Sequence, residues 1–565
     1  MNGRAQFACV TCRRLKRKCP KELPSCSLCL RLEKQCEYPP RVRNLYENKT
    51  PDSSISPRET NGEVNPPISS SFPAESTLSL SPIPDLVLGH GDIHTFPAMF
   101  FLESDVCTKP LASEPCQATG IIGPPCNLSP EADAVCEKYF STVHRWLPIL
   151  SRKRVRRHIA DNGSVPDCPS QLLFICMKLV SEPVPAEVSA RANIAYQRVL
   201  ETLFKVENSC LPSLQLLQSV ILISAYERGH AIYPAAYLHV GHAARLCAMM
   251  GFHDRKAASQ LFKDSITWTS REEERRTWWA VFCLDRYFYT QLTRWLPSLI
   301  IVGLRISRIT NQGTSGLPFA APDPNPGELL PCPEVPWIEG GIGFNEPLFA
   351  TSFSSNTSLG SFANMCQAAH VLGRVLRHRD ELHSSRLALG FRVSEARQLH
   401  QILVSLSSHL SSICEQSLLL DSSVSVPLAL CFSARLILYD IYACNETYST
   451  DYGRSSEEAE LQKETMAGIF SVTRGIWQLA CQLLESIDQS SGNGLENLSP
   501  LLCHCLYLGA GESEWLILEH QDSSASTWLK DIVRLLRVIG KRWQVADIYL
   551  AQIYKWPGYN SLGML

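Results

Sequence analysis

Six cysteines near the start of the chain have the types and spacing of a metal site. Their pattern is C-x2-C-x6-C-x6-C-x2-C-x6-C, in which the second three positions repeat the first three at a shift of 17 residues. The first residues contain no apolar signal-peptide core, so we expect an intracellular protein with reduced thiols. Paired CxxC repeats in that setting indicate metal rather than disulfides. The six are Cys9, Cys12, Cys19, Cys26, Cys29 and Cys36.

The number of thiolates indicates how many metal ions they hold. Structural zinc takes four ligands in a tetrahedron and favours thiolate sulfur, and no histidine precedes His90. One zinc ion would leave two thiolates unused, whereas two ions need eight bonds from six sulfurs. Two sulfurs must then bridge, and the repeat favours equivalent positions, Cys9 and Cys26. We therefore expect two zinc ions, which also supply the folding energy of so short a segment. The alternative is six incidental buried thiols.

A basic run lies between the second and third cysteines. Five of its six residues are Lys or Arg, whereas the matching segment 30–35 has a net charge of only +1. The five are Arg13, Arg14, Lys16, Arg17 and Lys18. Such side chains bind phosphates and the O6 and N7 atoms of guanine in the major groove, so we expect them to contact double-stranded DNA. The alternative is a nuclear-import signal or a solvated helix face, and import is compatible with DNA contact as a second role.

Charge and composition separate this basic segment from the rest of the chain. Residues 1–43 contain eleven basic and three acidic residues, a net charge of +8, so the remainder of the chain, with its total of −2, carries −10. Residues 49–85 contain seven prolines and nine serines, which favours a disordered linker. The 565 residues are 45% hydrophobic and 19% charged, which is globular usage and excludes collagen-like and small disulfide-rich classes.

Apolar residues at three- and four-residue steps predict a mostly α body after about residue 130. The predicted helical segments are 131–160, 168–182, 186–206, 213–228, 235–251, 272–290, 361–386, 393–416, 427–447, 456–487 and 526–556. Residues 311–360 contain eight prolines and seven glycines, so they form a seam between two helical lobes or a large loop on one domain. The predicted domains are therefore a zinc-cluster domain (1–43), a linker (44–130), a helical domain (131–310), the seam or loop (311–360) and a C-terminal helical region (361–565).

Several groups of the body have both a functional and a packing interpretation. Arg275, Arg276, Asp285 and Arg286 line an effector pocket or, as we favour, form a buried charge network between helices. Trp278 and Trp279 would anchor their helix to the core. The run 152–157 is an import signal or a solvated helix face, and we favour the helix face. His239 and His242 share a helical face without a third metal ligand.

The sequence gives little support for a membrane protein or an enzyme. No apolar run reaches the ~18 residues of a membrane helix. The phosphate-binding GxxxxGK, nucleophile-elbow GxSxG and metalloprotease HExxH motifs are all missing. The cysteine repeat is not followed by the heptads of a coiled coil, so the chain binds DNA as a monomer or forms a homodimer through its body. The apolar series 396–413 could be a dimer seam, although internal packing is favoured.

The stretch ACVTCRRLKRKCPKELPSCSLCLRLEKQCEYPP resembles the DNA-binding domain of the fungal binuclear zinc-cluster transcription factors. The resemblance implies a helix after the second cysteine that reads a CGG-type triplet in the major groove. Lys16 matches the principal base-reading lysine, with Arg13 and Lys18 at other basic positions of the family. Pro24 matches the proline that joins the two halves. Leu15 departs from the family, which usually has Arg or Lys there, and puts one contact in doubt.

Parts of the body resemble the fungal-specific transcription factor domain of the same family. The similar stretches are Tyr139–Leu150, Ala243–His253 and Glu273–Tyr287, which includes Glu-Glu-Arg-Arg-Thr-Trp-Trp. The resemblance implies a regulatory domain that restrains the DNA-binding domain or responds to a small-molecule inducer. We therefore expect a nuclear regulator of RNA polymerase II genes, more often an activator, which by family analogy controls a specialised-metabolite gene cluster. The alternative is a zinc-stabilised protein-interaction module without its own DNA site.

Overall fold

A computed structural model describes most of the chain between residues 129 and 561 and a small part near its start. The described residues are 12, 19–31, 35–37, 129–160, 167–185, 187–210, 212–253, 267–292, 318–325, 327–349, 359–381, 389–416, 422–443, 456–489 and 494–561. The chain divides into two units, 1–92 and 93–565. We call the described residues 12–37 the head and the described residues 129–561 the body. The predicted linker, 44–130, falls almost entirely outside the described residues.

Helices form nearly all the regular structure of the described chain, so the predicted mostly-α fold is confirmed. The helices are α1 (Ser27–Arg31) in the head and, in the body, α2 (Ser129–Ser141), α3 (Arg152–Ala160), α4 (Cys168–Ser181), α5 (Ile194–Ser209), α6 (Leu214–Gly229), α7 (Ala235–Met249), α8 (Trp268–Leu292), α9 (Glu334–Glu339), α10 (Ser361–Glu381), α11 (Leu389–Gln416), α12 (Ser422–Ala443), α13 (Ser456–Gln489), α14 (Leu502–His520), α15 (Ser523–Gly540), α16 (Val545–Ile553) and α17 (Pro557–Ser561).

Short polar side chains fix where several helices begin. Asn193 accepts a hydrogen bond from the backbone N–H of Ala195 (2.9 Å) at the start of α5. Ser213 and Asp522 do the same for α6 and α15, at 3.2 and 2.9 Å. Each bond satisfies a backbone donor that the first helical turn leaves without a partner. The starts of these helices are therefore determined by local sequence.

Several helices differ from the sequence prediction. The segment 131–160 is two helices, because α2 ends at Ser141 and the chain turns before α3 begins at Arg152. The segment 526–556 is divided between α15 and α16. α14 was not predicted, because its residues from Leu502 to Ala510 are nearly all buried and show no polar face. A helix surrounded by others lacks the periodicity that identifies a surface helix.

Most buried apolar side chains of the body form one continuous core that extends from α2 to α17 among the described residues, and Leu516, Ala525 and Trp528 form a second, small cluster. α12 lies at the centre of the continuous core and packs on α10, α11, α13 and α14. α8 packs on α6, α7 and α10 and so connects the two halves of the sequence. The boundaries predicted at residues 43, 130, 310 and 360 stay predictions.

One described helix, α12, is long and apolar enough to cross a membrane by length and composition. However, 78% of its most apolar window is buried inside the body. Its Arg435 donates hydrogen bonds to Ser407 and Tyr439 (both 3.0 Å). This burial is typical of the central helix of a core.

Residues 318–349, which we call the strap, cross α8 and reach α10. Trp279 on α8 donates to the carbonyl of Leu329 (2.9 Å). Glu334 accepts hydrogen bonds from the backbone N–H groups of Ser361 (3.0 Å) and Phe362 (2.8 Å) and so caps the start of α10. Gly340 ends α9 at φ 73°, in the left-handed region that favours glycine. The strap therefore holds α8 and α10 together on the surface of the core.

Candidate zinc centre and the polar core of the body

Cysteine side chains from both halves of the repeat meet at the centre of the head. Cys12, Cys26 and Cys29 are at most 1% exposed, and their sulfurs lie within 4.8 Å of one another. Cys12 Sγ is 3.6 Å from Cys26 Sγ and 3.8 Å from Cys29 Sγ. Sulfurs placed tetrahedrally around zinc at ~2.3 Å are about 3.8 Å apart, whereas a disulfide is ~2.05 Å long. The three sulfurs therefore fit the edges of a zinc tetrahedron.

Cys26 has cysteines of both repeats around it. Its sulfur accepts the backbone N–H of Cys29 (3.4 Å), and its own backbone N–H donates to Cys36 Sγ (3.3 Å). Burial alone would raise the pKa of Cys26, but hydrogen bonds from Cys29, Cys12 and Cys19 outweigh it and lower the pKa. A lowered pKa favours the thiolate that binds metal. The surroundings of Cys26 thus favour the thiolate form that a zinc ligand needs.

A short loop and helix position these cysteines. The backbone N–H of Ser27 at the start of α1 donates to the Glu22 carboxylate (2.7 Å), which closes the loop between the two halves. The Leu23–Pro24 peptide in that loop is cis. Cys29 faces inward from α1, while Leu30 beside it is 65% exposed. Cys19 and Cys36 pack next to the three buried cysteines.

Comparison with known proteins agrees with this geometry. Residues 7–45 match the fungal Zn(2)-Cys(6) binuclear cluster domain, and residues 136–307 match the fungal specific transcription factor domain. The chain is 37% identical over 146 residues to transcription factor BOA15 of Botryotinia fuckeliana, which covers 26% of this chain and 80% of that protein. The chain belongs to the fungal binuclear zinc-cluster transcription factors. Its cysteine repeat is accordingly a domain that holds two zinc ions on six cysteines.

Two further relatives of this zinc-cluster transcription factor carry names that refer to biosynthesis. The tropolone cluster transcription factor tropK of Talaromyces stipitatus is 23% identical over 305 residues, which is 50% of this chain and 54% of tropK. The pigment biosynthesis transcriptional activator pigB of Monascus ruber is 23% identical over 267 residues, 44% of this chain and 42% of pigB. The chain spans about half the length of these two curated relatives.

The structure places part of the predicted site and leaves part of it as prediction. It brings Cys12, Cys26 and Cys29 together, with Cys19 and Cys36 beside them. Cys9 and all five predicted DNA-contact residues lie outside the described residues. The bridging roles of Cys9 and Cys26 stay predictions, and so do the DNA contacts of Arg13, Arg14, Lys16, Arg17 and Lys18.

The transcription factor domain of this zinc-cluster transcription factor contains the buried charges that its sequence suggested. Arg276 on α8 is fully buried and pairs with Glu272 (3.0 Å). It also donates to the backbone carbonyl of Cys332 in the strap (2.6 Å). Arg275 is partly exposed and pairs with Glu272 as well (2.6 Å). The expected contact between helices is therefore a contact between a helix and the strap.

A second ionic contact lies about three turns further along α8. Arg286 pairs with Asp285 (2.5 Å) and Asp323 (3.0 Å) and donates to the carbonyl of Ala321 (3.0 Å). Asp285 accepts the backbone N–H groups of Ala320 and Ala321 at 3.1 and 3.2 Å. Burial raises the pKa of Asp285 despite these partners. Charged groups of α8 thus fix the strap at two places.

The two tryptophans and the other ambiguous groups of the body have packing roles. Trp278 and Trp279 are at most 1% exposed. Arg152 and Arg156 in the run 152–157 pair with Glu137, so the run is a helix face with ion pairs. Most of the apolar series 396–413 belongs to the continuous core, which is internal packing. The buried members are Ala396, Leu399, Leu403 and Leu410.

Sequence reasoning missed the buried polar groups near the end of α6. Glu227 is fully buried and accepts hydrogen bonds from Tyr196 (2.6 Å) and His239 (2.8 Å). Hydrogen bonding and the charge of Glu227 raise the pKa of His239 against the effect of its burial. The neighbouring Arg228 is also fully buried. A charged pair that ends an apolar run, here Leu214–Tyr226, was the available signal for such a site.

Proposed function

We propose that this zinc-cluster transcription factor binds a CGG-like triplet in double-stranded DNA and regulates RNA polymerase II genes in the nucleus, as an activator. The observation that carries the proposal is the zinc-sized spacing of the buried cysteines in a head that matches the binuclear cluster domain. Zinc would stabilise the fold of the head, and the basic run between Cys12 and Cys19 would then contact the major groove of DNA.

The asymmetry between the two halves of the repeat supports a DNA role over a protein-interaction module. The first half has five basic residues between its cysteines, whereas the second has Arg31 and Lys34 with one glutamate. A zinc module that served only as a scaffold would not need a basic helix in one half. Lys and Arg at such positions read guanine and bind phosphate, which gives both specificity and salt dependence.

The proposed targets are genes of a specialised-metabolite cluster. Relatives named for tropolone and pigment biosynthesis support this choice. The regulatory body would restrain or release the head in response to a small-molecule inducer, and two copies could pair through the body. These points rest on similarity over about half of each relative.

Selection of bound sequences from random DNA tests this function. Full-length zinc-loaded protein near 0.15 M salt should enrich a CGG-like triplet. Paired triplets at fixed spacing would indicate a homodimer, and a single triplet would indicate a monomer. If no sequence is enriched while zinc is bound, the protein-interaction module becomes the better explanation.

Two substitutions in the head test the proposed base contact. Lys16→Met should weaken specific binding by ~1–3 kcal/mol and relax the preference at one base. Lys34→Met is the matched control, because it removes a lysine at the position of the second half that corresponds to Arg17. The control should keep the sequence preference. Equal effects of the two substitutions would exclude Lys16 as the base-reading residue.

A further inference from the structure

Among the described residues, the buried Arg228 of the body has no anionic partner. Arg228, near the end of α6, is fully buried. Its guanidinium donates to the hydroxyls of Tyr233 (2.9 Å) and Tyr287 (3.2 Å), and its Nε makes no hydrogen bond within the described residues. Arginine has five N–H donors and keeps its charge. A buried charge without a counter-charge is strongly unfavourable, so this position calls for an anion that binds there.

The buried arginines of α8 show what a paired guanidinium looks like in the same core. Arg276 pairs with Glu272 at 3.0 Å, and Arg286 pairs with Asp285 at 2.5 Å. In the described part of the chain no carboxylate approaches Arg228 in this way. Arg228 differs from Arg276 and Arg286 in that the hydrogen-bond partners of its guanidinium among the described residues are tyrosine hydroxyls.

Two other buried arginines lack an ion pair among the described side chains, but their surroundings differ. Arg542 donates to the carbonyl of Val180 (3.2 Å), and the negative charge of Glu496 acts on it. Arg435 donates to Ser407 and Tyr439 on neighbouring turns of the core. Neither faces a set of aromatic rings like those around Arg228.

The surroundings of Arg228 are aromatic and uncharged. Its guanidinium carbon lies 4.9 Å from the ring centre of Tyr287 and 5.9 Å from that of Phe288. Tyr549 on α16 and Cys503 on α14 are close enough to interact electrostatically with it. Burial raises the pKa of both tyrosines, and it raises the pKa of Cys503 to about 12. None of these groups is therefore charged at neutral pH.

Two tyrosines near Arg228 are partly exposed. Tyr233, in the turn between α6 and α7, accepts a hydrogen bond from Arg228 at its hydroxyl, and both Tyr233 and Tyr549 are only partly buried, whereas Arg228 is fully buried. The turn that carries Tyr233 includes Ala231 at φ 53°, a conformation that alanine rarely adopts. Because Arg228 is fully buried, a ligand would need movement of this turn to reach the guanidinium.

We propose that Arg228 anchors a binding site for a small aromatic carboxylate, with Tyr233, Tyr287 and Tyr549 as its walls. A carboxylate accepts two hydrogen bonds from a guanidinium, and an aromatic ring stacks on tyrosine. This site rests on the proposed function, because its ligand would be the inducer of the regulatory body. Since α6 and α8 lie in the matched regulatory domain and α14 and α16 lie beyond it, the ligand would connect both parts.

Thermal unfolding of full-length, zinc-loaded protein with benzoate as the probe tests the site. Benzoate at ten times its dissociation constant should raise the melting temperature of the body by about 1–2 °C. Benzamide has the same shape without the charge and should have no effect. Titration of benzoate to about 20 mM covers the affinity expected of so small a ligand. The absence of any benzoate effect in this range would overturn the proposal.

Substitution of Arg228 shows where benzoate acts. Arg228→Met and Arg228→Gln should abolish the benzoate shift, and Arg435→Met, a buried control elsewhere in the core, should keep it. Without ligand, Arg228→Met should melt at the wild-type temperature or above, because an apolar isostere relieves a buried charge. A melting temperature below wild type for both Arg228 variants would make Arg228 a structural hydrogen-bond donor and overturn the proposal. A benzoate shift that survives in both variants would overturn it as well.

DNA binding in the same preparations separates this proposal from the proposed function. If CGG-like DNA is bound but benzoate has no Arg228-dependent effect, only the carboxylate site fails. If benzoate acts through Arg228 but no DNA sequence is preferred, the DNA-regulator function fails and the ligand site remains.

Discussion

The head and the body of this protein are stabilised in different ways. In the head, the buried apolar cluster of the described residues consists of three cysteines, with Cys19, Leu28 and Cys36 packed against it. In the body, a continuous core extends over the helices from α2 to α17. The head therefore depends on metal, whereas the body depends on apolar burial with a few largely buried ionic contacts. Perturbations that act on one region should leave the other nearly unchanged.

The largest effect should come from breaking the zinc centre. Cys26→Ser, or zinc removal with a chelator, should abolish specific DNA binding, because zinc supplies ~10–16 kcal/mol in modules of this kind. The melting temperature of the body should stay within about 1 °C of wild type. Zinc content, DNA affinity and thermal unfolding measured on one preparation check this. Cys247→Ala, at a fully buried cysteine of α7, is the control and should keep two zinc ions per chain.

The next largest effect should come from removing the fully buried arginine that pairs with Glu272. Arg276→Met leaves the buried Glu272 with the partly exposed Arg275 as its remaining ion-pair partner and should lower the free energy of unfolding of the body by up to ~3–5 kcal/mol. Combination with Glu272→Gln should restore much of that loss. Denaturant unfolding gives these values, and zinc content should not change. A single variant as stable as wild type would show that the strap does not depend on this ion pair.

A buried histidine should make the stability of the body sensitive to acid. Burial lowers the pKa of His370 to about 4, and its two ring nitrogens make no hydrogen bond among the described groups. This pKa is below the ordinary value of ~6.5, so the unfolded chain takes up a proton at this histidine at a higher pH than the folded chain does. The free energy of unfolding is therefore highest above pH 6.5 and decreases as the pH falls toward 4. Between pH 7 and pH 5, protonation of His370 should lower the free energy of unfolding by about 2 kcal/mol.

His370→Phe keeps the ring between Phe282 and Phe349 and removes the titrating group. Unfolding measured at pH 7 and pH 5 should therefore show a smaller loss in this variant than in wild type. An identical loss would mean that His370 does not contribute to the pH dependence.

The smallest effect tests how tightly the body is packed. A Cβ at Gly229 would lie 2.2 Å from a ring carbon of Trp543, so Gly229→Ala should lower the free energy of unfolding by ~1–3 kcal/mol. A Cβ at Gly241 on α7 meets no atom within 4 Å, so Gly241→Ala should raise it by ~0.5–1 kcal/mol. Denaturant midpoints check both. Effects of the same sign would show that the close approach of Gly229 to Trp543 can relax.

The parts of the structure that sequence could predict are those that depend on local spacing. The cysteine repeat predicted that Cys12, Cys26 and Cys29 meet, because the ligand count of zinc leaves few arrangements. Most helices were predicted for a similar reason, since an apolar face recurs every three to four residues. α14 escaped because its buried positions surround the helix.

The parts that sequence could not predict depend on contacts between distant residues. The partners of Arg276 and Arg286 include Cys332 and Ala321 of the strap, and no local pattern relates these positions. The burial of Arg228 and the partners of its guanidinium likewise depend on Tyr233, Tyr287 and helices far along the chain. Composition can indicate that a charge is buried, but it cannot indicate whether the charge has a partner.

The strap also has a consequence for how the length of this chain can vary among relatives. The strap runs antiparallel to α8, so later residues of the helix contact earlier residues of the strap. Arg276 contacts Cys332, Trp279 contacts Leu329, and Arg286 contacts Ala321. Seven helical residues from 279 to 286 span about 10 Å, whereas eight residues of extended chain could span up to about 28 Å. Insertions and deletions should therefore accumulate between Ala321 and Leu329, where chain is in excess. The stretch from Leu329 to Cys332 should vary less, because its three residues reach at most about 10 Å against about 4.5 Å along the helix from 276 to 279, which leaves a smaller excess.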